Sequence, residues 1–321
     1  MTDGTRLVRF LRGLGVRPAG VLLAHASLGG TGLPPGVVRD ALLRVLGPGG
    51  TLVTPAFTPE NSDTSHRHHA LTAGLTDRQR AAHRAAMPAF DPGVTPCPSV
   101  GALADCVRST PGAVRSTHPQ TSFAAIGPRA RDLLAVHDLP CHLGERSPLG
   151  RLYALDAQIL LFRVGFAACS AFHLAEYRQT PPPPLRTYRC VTGGGWVSYE
   201  DIVLDDGDFA AIGELLPRTA LSEGEFAGKT CTLAGMRDTV DTARREMSGY
   251  RGRRHGTSHA EVNGVGNSGG SGRTTPPGDA PGHRPAGEPR DSTSRRCAGS
   301  PPAAPAGGPP CASGADNGGT A

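Results

Sequence analysis

The sequence predicts an α/β fold, with a mixed sheet flanked by helices in a single domain over residues 1–250 and a disordered tail over residues 251–321. Two observations predict it. Apolar runs with strand and helix periodicity alternate along the first part of the chain. Near Tyr250 the large aliphatic residues almost stop, and the remaining composition cannot bury enough surface to offset the entropy lost on ordering. An unselected extension of GC-rich coding sequence is an open alternative for the tail.

The first part of the domain predicts a parallel pair of strands. Apolar residues at helical spacing cover residues 5–14, and an apolar run at 21–25 predicts a strand. A glycine-rich loop at 27–32, a helix at 35–46 and a second strand at 51–55 follow. This order of strand, helix and strand favours parallel pairing with a right-handed crossover.

The rest of the domain predicts further elements after one long excursion. Residues 57–98 are polar and proline-rich, with a weak helix at 77–86, and long excursions of this kind are often functional lids. The remaining predicted elements are helices at 101–109, 128–136, 208–215 and 236–250, strands at 121–126 and 157–164, a short helix from residue 171, and a hairpin of 186–191 with 196–199.

Charge and cysteine spacing exclude several classes of function. The formal net charge is +5, and residues 251–321 hold eight arginines and five acids, which leaves 25 basic and 23 acidic side chains in the domain. Such a balance gives no basic surface for nucleic acid. No signal peptide is recognisable and no apolar run approaches ~20 residues, so we expect a cytoplasmic protein without a membrane role. The scattered cysteines lack the paired spacing of zinc or disulfide scaffolds.

The histidine-rich part of the excursion does not predict a metal site. His66, His68, His69 and His83 lie in a polar segment without an element to fix them, which favours a solvated loop. The chain has no H-E-x-x-H motif, and no second motif supplies the paired ligands of a di-iron bundle. The sequence therefore predicts no bound metal.

A histidine and a glutamate follow the predicted strand at 157–164. His173 and Glu176 are three residues apart in a short predicted helix, so their side chains share one helix face. Open α/β sheets bind ligands beyond the ends of their strands. The spacing therefore predicts a base and its orienting carboxylate in one pocket.

The glycine-rich loop at 27–32 is a candidate anion site. It lies between a strand and a helix, where backbone N–H groups and the helix N-terminus favour a pyrophosphate. A plain turn stays open, because the glycines do not form the dinucleotide fingerprint. His25 precedes Ser27 by two residues, so both side chains face the same side of the strand. A structural histidine is the alternative there.

A second histidine lies near a serine. Pro119 holds His118 in an extended conformation, and Ser122 follows four residues later. This arrangement imitates a Ser/His hydrolase, although residues 1–250 contain no G-x-S-x-G motif.

Acidic residues are concentrated between positions 200 and 225. This stretch carries eight acids, with Arg218 as its one base. A polycationic ligand would be attracted to it, and an ordinary solvated face is the alternative.

Five sequence blocks together resemble the antibiotic N-acetyltransferase family, whose best-known members are aminoglycoside 3-N-acetyltransferases. The resemblance covers about residues 5–250 and keeps the family's order. The blocks are HASL at 25–28, GGTLVTP at 49–55, RSTHP at 115–119 with SFAA at 122–125, GERSPL at 144–149 and HLAEYR at 173–178.

This resemblance implies the α/β fold of the aminoglycoside 3-N-acetyltransferase type, acetyl-coenzyme A as donor and no metal. The implied acceptor is an amino group of a cationic, aminoglycoside-like small molecule, such as the 3-amino group of a 2-deoxystreptamine ring. The implied role is antibiotic resistance or modification. The oligomeric state stays open between monomer and homodimer.

The resemblance also carries site residues over to this chain. His173 falls on the catalytic base and Glu176 on its partner. The implied contacts with coenzyme A fall on the turn with His25, Ser27 and Leu28 and near Arg115, and the glycine-rich loop adds Gly32 as a candidate contact. The candidates for binding the acceptor are His118, Ser122, Glu145 and Asp201.

Two departures from the family pattern concern the donor contacts. Relatives commonly carry Arg-Gly-Met-Gly where this chain has Pro-Ser-Val-Gly at 98–101, and Ala-Glu where it has Ala-Asp at 104–105. Three alternatives to direct transfer stay open. These are a route through an acetylated Cys169, a hydrolase that uses Ser122 and His118, and a catalytically idle binder of cationic sugars.

Overall fold

A computed structural model describes residues 3–262. Within them the chain forms strands and helices in alternation, and the predicted mixed α/β fold is confirmed. The strands are β1 (Val21–Ala26), β2 (Thr51–Pro55), β3 (Val114–Arg115), β4 (Phe123–Ile126), β5 (Gln158–Phe162), β6 (Leu185–Thr192), β7 (Gly195–Ile202), β8 (Leu221–Phe226) and β9 (Lys229–Gly235). The α-helices are α1 (Asp3–Leu14), α2 (Pro35–Leu46), α3 (His66–Thr72), α4 (Asp77–Ala85), α5 (Ala102–Arg108), α6 (Ala130–Leu134), α7 (Pro148–Ala154), α8 (Ala171–Tyr177), α9 (Phe209–Gly213) and α10 (Met236–Val262).

The main sheet has seven strands in the order β3-β4-β2-β1-β5-β9-β8. Its centre is parallel, because β1 pairs in parallel with both β2 and β5. The flanking strands pair antiparallel on both sides. The parallel pair of β1 and β2 predicted from the sequence is therefore present, and the carboxyl ends of three central strands meet at one edge.

Both faces of the sheet are covered by helices. Alternate residues of β1 point to opposite faces, so Val21 and Leu23 enter one core cluster while Leu22 and Ala24 enter the other. The first cluster receives side chains from α6 to α10, and the second receives side chains from α1, α2 and α5. This two-sided burial explains why the central strands read as continuous apolar runs.

Two neighbouring strands were not predicted. β8 and β9 form a hairpin whose turn residues Ala227 and Gly228 both have positive φ. Ala-Gly is a weaker turn signal than the Asn-Gly or Asp-Gly pairs that mark such hairpins. β9 then pairs with β5 and completes the sheet. The predicted hairpin of β6 and β7 is present as a separate two-stranded sheet.

The C-terminal helix passes the predicted end of the domain. α10 continues from Met236 to Val262 and so includes residues assigned to the tail by composition. The remainder of the predicted tail, residues 263–321, lies outside the described residues. None of the helices between residues 3 and 262 is both long and apolar enough to cross a membrane.

The excursion at 57–98 is more ordered than the sequence predicted. It contains α3 and α4, and the backbone N–H of Phe90 donates to the carbonyl of Val191 in β6. The prediction of a solvated histidine loop is wrong for His68, which is buried in α3 with its ring 5.2 Å from that of His83. A serine cap begins this helix, since Ser65 accepts from the His68 N–H.

Candidate active site

A cavity of about 630 Å³ lies at the carboxyl ends of the central parallel strands. This volume is typical of small-molecule sites. β1 contributes its last residues, β2 contributes Pro55, and the segment after β5 contributes a further part of the wall. The lining includes His25, Ser27, Leu28, Phe57, Ser99, Val164, Cys169, Ser170, His173, Asp206 and Phe209.

The predicted pair of histidine and glutamate lies on this wall. His173 and Glu176 are both in α8, and His173 Nδ1 is 2.6 Å from Glu176 Oε2. The His173 side chain is 12% exposed and lines the cavity, whereas the Glu176 side chain is 0% exposed. The Phe209 ring packs at 4.7 Å from the imidazole. The pair is therefore held rigidly, with the imidazole facing the cavity and the carboxylate behind it.

This geometry determines which ring nitrogen can act as a base. An ionised carboxylate only accepts hydrogen bonds, so Nδ1 of His173 carries the proton and donates to Glu176. In the neutral ring, Nε2 then carries the lone pair. A base with a fixed tautomer is the arrangement that general-base catalysis requires.

The second oxygen of Glu176 is held by a residue that sequence reasoning assigned to the tail. Arg251 in α10 lies 2.9 Å from Glu176 Oε1, and the backbone N–H of Asp205 donates to the same oxygen at 3.1 Å. Helical spacing offered a signal, because Met247 is fully buried and Arg251 follows it by four residues.

Arg251 also joins a second carboxylate. Its Nε and one terminal nitrogen donate to the two oxygens of Asp208 at 2.7 and 2.9 Å. Burial disfavours the charge of Arg251, but its hydrogen bonds to Asp208 and the attraction of Glu176 outweigh burial and raise the pKa of the guanidinium. The arginine is therefore a permanent cation between two acids.

Another part of the cavity wall comes from the end of β1 and the loop that follows it. His25 is buried, and burial lowers its pKa to about 4, so its ring is neutral at pH 7. Its Nε2 is 3.3 Å from the Ser170 hydroxyl. The Ser27 N–H is used within the sheet, since it donates to Phe162 O at 3.0 Å. The Ser27 hydroxyl is thus the group of this residue that can serve a ligand.

The conformation of this loop depends on a buried arginine. One terminal nitrogen of Arg163 donates to the carbonyls of Ser27 and Gly29, at 3.1 and 2.6 Å. The apolar run at 157–164 predicted a strand that includes Arg163 and gave no signal of a role for this residue. Its bonds to the loop and its positive φ of 59° mark it as the residue that fixes the loop against β5.

A comparison with known proteins decides the family. Residues 23–248, more than half of the chain, match the family model described as aminoglycoside 3-N-acetyltransferase. The chain belongs to this family.

Three relatives show the extent of the similarity. The prophage-derived aminoglycoside N(3')-acetyltransferase-like protein YokD of Bacillus subtilis is 30% identical over 241 residues, covering 73% of this chain and 88% of that protein. Its crystal structure has a TM-score of 0.70 at 28% identity and covers 76% of this chain and 92% of that chain. Aminoglycoside N(3)-acetyltransferase IV of Salmonella sp is 32% identical over 247 residues, which are 74% of this chain and 84% of that enzyme.

The third relative is a ligand complex. The structure of AAC-VIa bound to sisomicin has a TM-score of 0.67 and 30% identity, and it covers 78% of this chain and 98% of that chain. This chain is thus an enzyme of the aminoglycoside 3-N-acetyltransferase family.

The structure brings some predicted residues of this acetyltransferase together and leaves others apart. His25, Ser27, Leu28 and His173 line one cavity, and Glu176 lies directly behind His173. Gly32 is exposed, and neither it nor Arg115 is among the lining residues. The predicted contact of Gly32 and Arg115 with coenzyme A has no support in this cavity.

Arg115 has a structural position instead. Its guanidinium donates to the carbonyls of Ala56 and Thr95 and to the Ser122 hydroxyl, with the Ala56 bond at 2.7 Å and the Ser122 bond at 3.0 Å. Burial lowers its pKa to about 10, so the side chain stays charged at pH 7. These bonds tie β3 to the segment that follows β2.

Ser122 and His118, the two residues of the hydrolase alternative, have other hydrogen-bond partners in the structure. Nδ1 of His118 accepts from the backbone N–H groups of Gln120 and Thr121, and its Nε2 donates to Leu139 O. The Ser122 hydroxyl donates to Ala56 O at 2.8 Å. Both side chains are buried and bonded elsewhere, because His118 belongs to a polar cluster in the core and not to an acid–base pair.

The two acids proposed to bind the acceptor also pair with other side chains of the protein. Asp201 Oδ2 accepts from His142 Nδ1 at 2.6 Å and from the Tyr177 hydroxyl at 2.5 Å, in a buried position. Glu145 is exposed and pairs with Arg178 at 2.6 Å. From the acidic stretch at 200–225 it is Asp206 that lines the cavity. The sequence located the acidic stretch but did not single out this member.

The two departures from the family pattern have different positions. The segment at 98–101 lines the cavity through Ser99, Val100 and Gly101, and the Ser99 hydroxyl donates to Glu60. Asp105 instead pairs with Arg108 at 2.7 Å. The first departure therefore changes the cavity wall, and the second belongs to α5. Among residues 3–253, whose side chains the structure describes, no group of three or more His, Cys, Asp or Glu side chains is arranged to hold a metal ion.

Proposed function

We propose that this enzyme transfers the acetyl group of acetyl-coenzyme A directly to an amino group of a cationic, aminoglycoside-like acceptor, with His173 as the general base. The observation that carries the proposal is the position of His173, whose imidazole faces the cavity while Glu176 holds its Nδ1 at 2.6 Å. The specific acceptor group that the family description suggests is the 3-amino group of the aminoglycoside.

The base is needed because the acceptor is cationic. An alkyl amine is mostly an ammonium ion at pH 7, and its nitrogen has no lone pair for attack until a proton leaves. Nε2 of His173 takes this proton, and the freed nitrogen attacks the thioester carbonyl. Glu176 stabilises the imidazolium that forms, as a carboxylate does in hydrolytic triads. The carbon–sulfur bond then breaks, and the protonated His173 returns its proton to the departing thiolate. The acceptor nitrogen loses its second proton to solvent, so the products are a neutral amide and a free thiol.

The Ser27 loop supplies the opposite side of the reaction. The carbonyl oxygen of the thioester gains negative charge in the transition state and needs a hydrogen-bond donor. The Ser27 hydroxyl lines the cavity and can donate, whereas its N–H is already bonded to Phe162. Neutral His25 next to it places no competing charge there.

Acceptor binding depends on the acidic side of the cavity. Asp206 lies on the wall with His173 and supplies a negative charge that attracts an ammonium group. AAC-VIa, a structural relative, is bound to sisomicin, and we infer an acceptor of the same cationic class for this chain. Acetylation converts a charged amine into a neutral amide, and this loss of charge is the basis of the resistance role we propose. Because acetyl-coenzyme A is a cytoplasmic metabolite, the proposal places the reaction in the cytoplasm.

A thiol-release assay tests the proposal. The full chain is incubated with acetyl-coenzyme A and either a 2-deoxystreptamine aminoglycoside or a simple monoamine, and free thiol is measured. We expect release with the aminoglycoside well above that with the monoamine, and mass spectrometry should show the acetylated product. Aminoglycoside binding by calorimetry without thiol release would instead indicate an idle binder. Release of acid from simple esters without coenzyme A would indicate a hydrolase.

A further inference from the structure

We propose that Arg251 is a positioning residue of the acetyl transfer site, which holds the Glu176 carboxylate against His173 and controls how tightly that pair binds its proton. The inference rests on the proposed function for its kinetic consequences. Its structural basis is independent, because it follows from the contacts of Arg251.

The contacts of Arg251 leave the Glu176 carboxylate little freedom. Glu176 Oε1 is 2.9 Å from Arg251 and accepts from the Asp205 N–H, so Oε2 is the oxygen directed at His173 Nδ1. The Glu176 side chain has no exposed surface, and water therefore cannot replace a lost partner without a change of structure. Each oxygen has an assigned partner, and this fixes the rotation of the carboxylate.

Arg251 has two partners besides Glu176. Asp208 accepts two hydrogen bonds from the guanidinium, and the carbonyl of Asp205 accepts from a terminal nitrogen at 2.8 Å. Such a planar fork matches two acceptors at once, which a lysine ammonium cannot reproduce. The guanidinium therefore links α8, the segment before α9, and α10 around the catalytic pair.

The charge balance of this group has a direct consequence for proton binding. The titratable and charged groups around the pair are Asp205, Asp206 and Asp208 before and at α9, His142 and Asp201 beside α8, and Arg251 in α10. Arg251 is the cation that contacts Glu176. Its removal leaves the negative charge of Glu176 and Asp208 uncompensated, so the His173–Glu176 pair holds its proton more tightly.

Kinetics separate this role from substrate binding. Arg251 is not among the residues that line the cavity, so Arg251→Gln should leave KM for both substrates near wild type. The value of kcat should fall roughly 10-fold to 100-fold, the usual size for the loss of a hydrogen bond to a charged group. The acid limb of the kcat/KM profile should move to higher pH by roughly one unit. Arg251→Lys should retain the charge and part of kcat, with a smaller shift of the profile.

The experiment compares Arg251→Gln, Arg251→Lys and a matched control, Arg244→Gln, which removes the same charge from an exposed position of α10. Each variant is assayed over pH 5.5–9, and circular dichroism verifies folding. A double variant, Arg251→Gln with Glu176→Gln, measures coupling, and Arg251→Gln should change kcat less than about 2-fold in that background. NMR titration of the His173 ring in Arg251→Gln should shift to higher pH even without substrate.

The outcomes separate the two proposals. If the wild-type chain releases no thiol with any acceptor, the proposed function fails, and the NMR shift still tests the role of Arg251. If the wild type is active and Arg251→Gln has the kcat and pH profile of Arg244→Gln, the positioning role is overturned. If Arg251→Gln does not fold, the pH profile of Arg251→Lys tests the positioning role. A pH profile identical to that of the wild type, together with a lower Tm, would mean that Arg251 only stabilises the fold.

Discussion

The part of the chain whose side chains the structure describes contains two pairs of histidine and carboxylate with the same separation and opposite surroundings. His173 Nδ1 is 2.6 Å from Glu176, and His142 Nδ1 is 2.6 Å from Asp201. The His173 side chain is 12% exposed on the cavity wall, whereas the His142 side chain is 2% exposed inside the core. The distance between nitrogen and oxygen therefore does not distinguish the pair that we propose as catalytic from the structural one.

The second nitrogen of each ring makes the difference. Nε2 of His142 is 3.2 Å from Gln120 Oε1 and 3.1 Å from the Tyr199 hydroxyl, so both of its nitrogens are used within the protein. His173 faces the cavity, where a substrate proton can reach it. A base needs an orienting partner on one nitrogen and access to substrate on the other.

The largest effect that tests this comparison is on turnover. His173→Ala removes the proposed base, so kcat for thiol release should fall at least ~100-fold. Because His173 lines the cavity, its removal opens Glu176 Oε2 to water, and Tm should fall less than when a core histidine is removed. The matched variant His142→Ala should do the opposite, with a marked loss of Tm and normal kcat in the folded fraction. Similar kcat losses for both variants would mean that the two pairs do not differ in function.

The second effect is on the pH dependence of stability. Burial lowers the pKa of His25 and His137 to about 4, and burial together with the charges of His142 and His137 lowers the pKa of His118 well below its usual value. An unfolded histidine titrates near pH ~6.5, so below that pH the unfolded chain binds protons that the folded chain does not. The free energy of unfolding should therefore decrease as the pH falls from ~6.5 toward 4, by roughly 1.4 kcal/mol per pH unit for each such histidine.

Denaturant unfolding at pH 7.5, 6.5, 5.5 and 5.0 measures this dependence. His137→Gln removes one of these buried histidines, so the slope of the free energy of unfolding between pH 6.5 and 5.0 should become shallower. His66→Gln in the excursion is the matched control and should retain the wild-type slope. If the slope of His137→Gln equals that of the wild type, the folded protein does not disfavour protonation of His137.

Local contacts are the part of the site that the sequence could predict. His173 and Glu176 are separated by three residues, so helix geometry alone places them on one face. The position of the pair beyond β5 followed from the apolar run at 157–164, and the parallel pairing of β1 with β2 followed from the order of elements. Each of these inferences uses periodicity within one or two neighbouring elements.

Contacts between distant segments are the part that could not be predicted. His142 and Asp201 are 59 residues apart, and the sequence had assigned Asp201 to the acceptor. Arg251 reaches Glu176 from a helix that composition ended at Tyr250, because its apolar residues stop there although the helix continues. The local sequence pattern carries no information on which distant polar groups form hydrogen bonds with each other. These pairs form because polar groups that become buried on folding need hydrogen-bond partners.

A smaller effect tests the structural member of the comparison. Asp201 Oδ2 accepts from the His142 N–H, His142 Nδ1 and the Tyr177 hydroxyl. An asparagine side chain offers one acceptor oxygen and a donor in place of the second, so Asp201→Asn should destabilise the fold by about 1–3 kcal/mol. Chemical denaturation gives this number, and aminoglycoside titration should show an unchanged KM. A raised KM without loss of stability would return Asp201 to the acceptor site.

The smallest expected effect concerns a residue that combines features of both regions. Cys169 lines the cavity as His173 does, but it is buried as His142 is. Burial raises the pKa of its thiol to about 12. At pH 7 the reactive thiolate is therefore scarce. Cys169→Ala should keep kcat within about 2-fold of wild type, and intact-mass spectrometry of the enzyme with acetyl-coenzyme A should show no added acetyl group. An acetylated Cys169 together with an inactive Cys169→Ala variant would instead establish a covalent route. The position of the thiol on the cavity wall would then determine its reactivity more than its burial does.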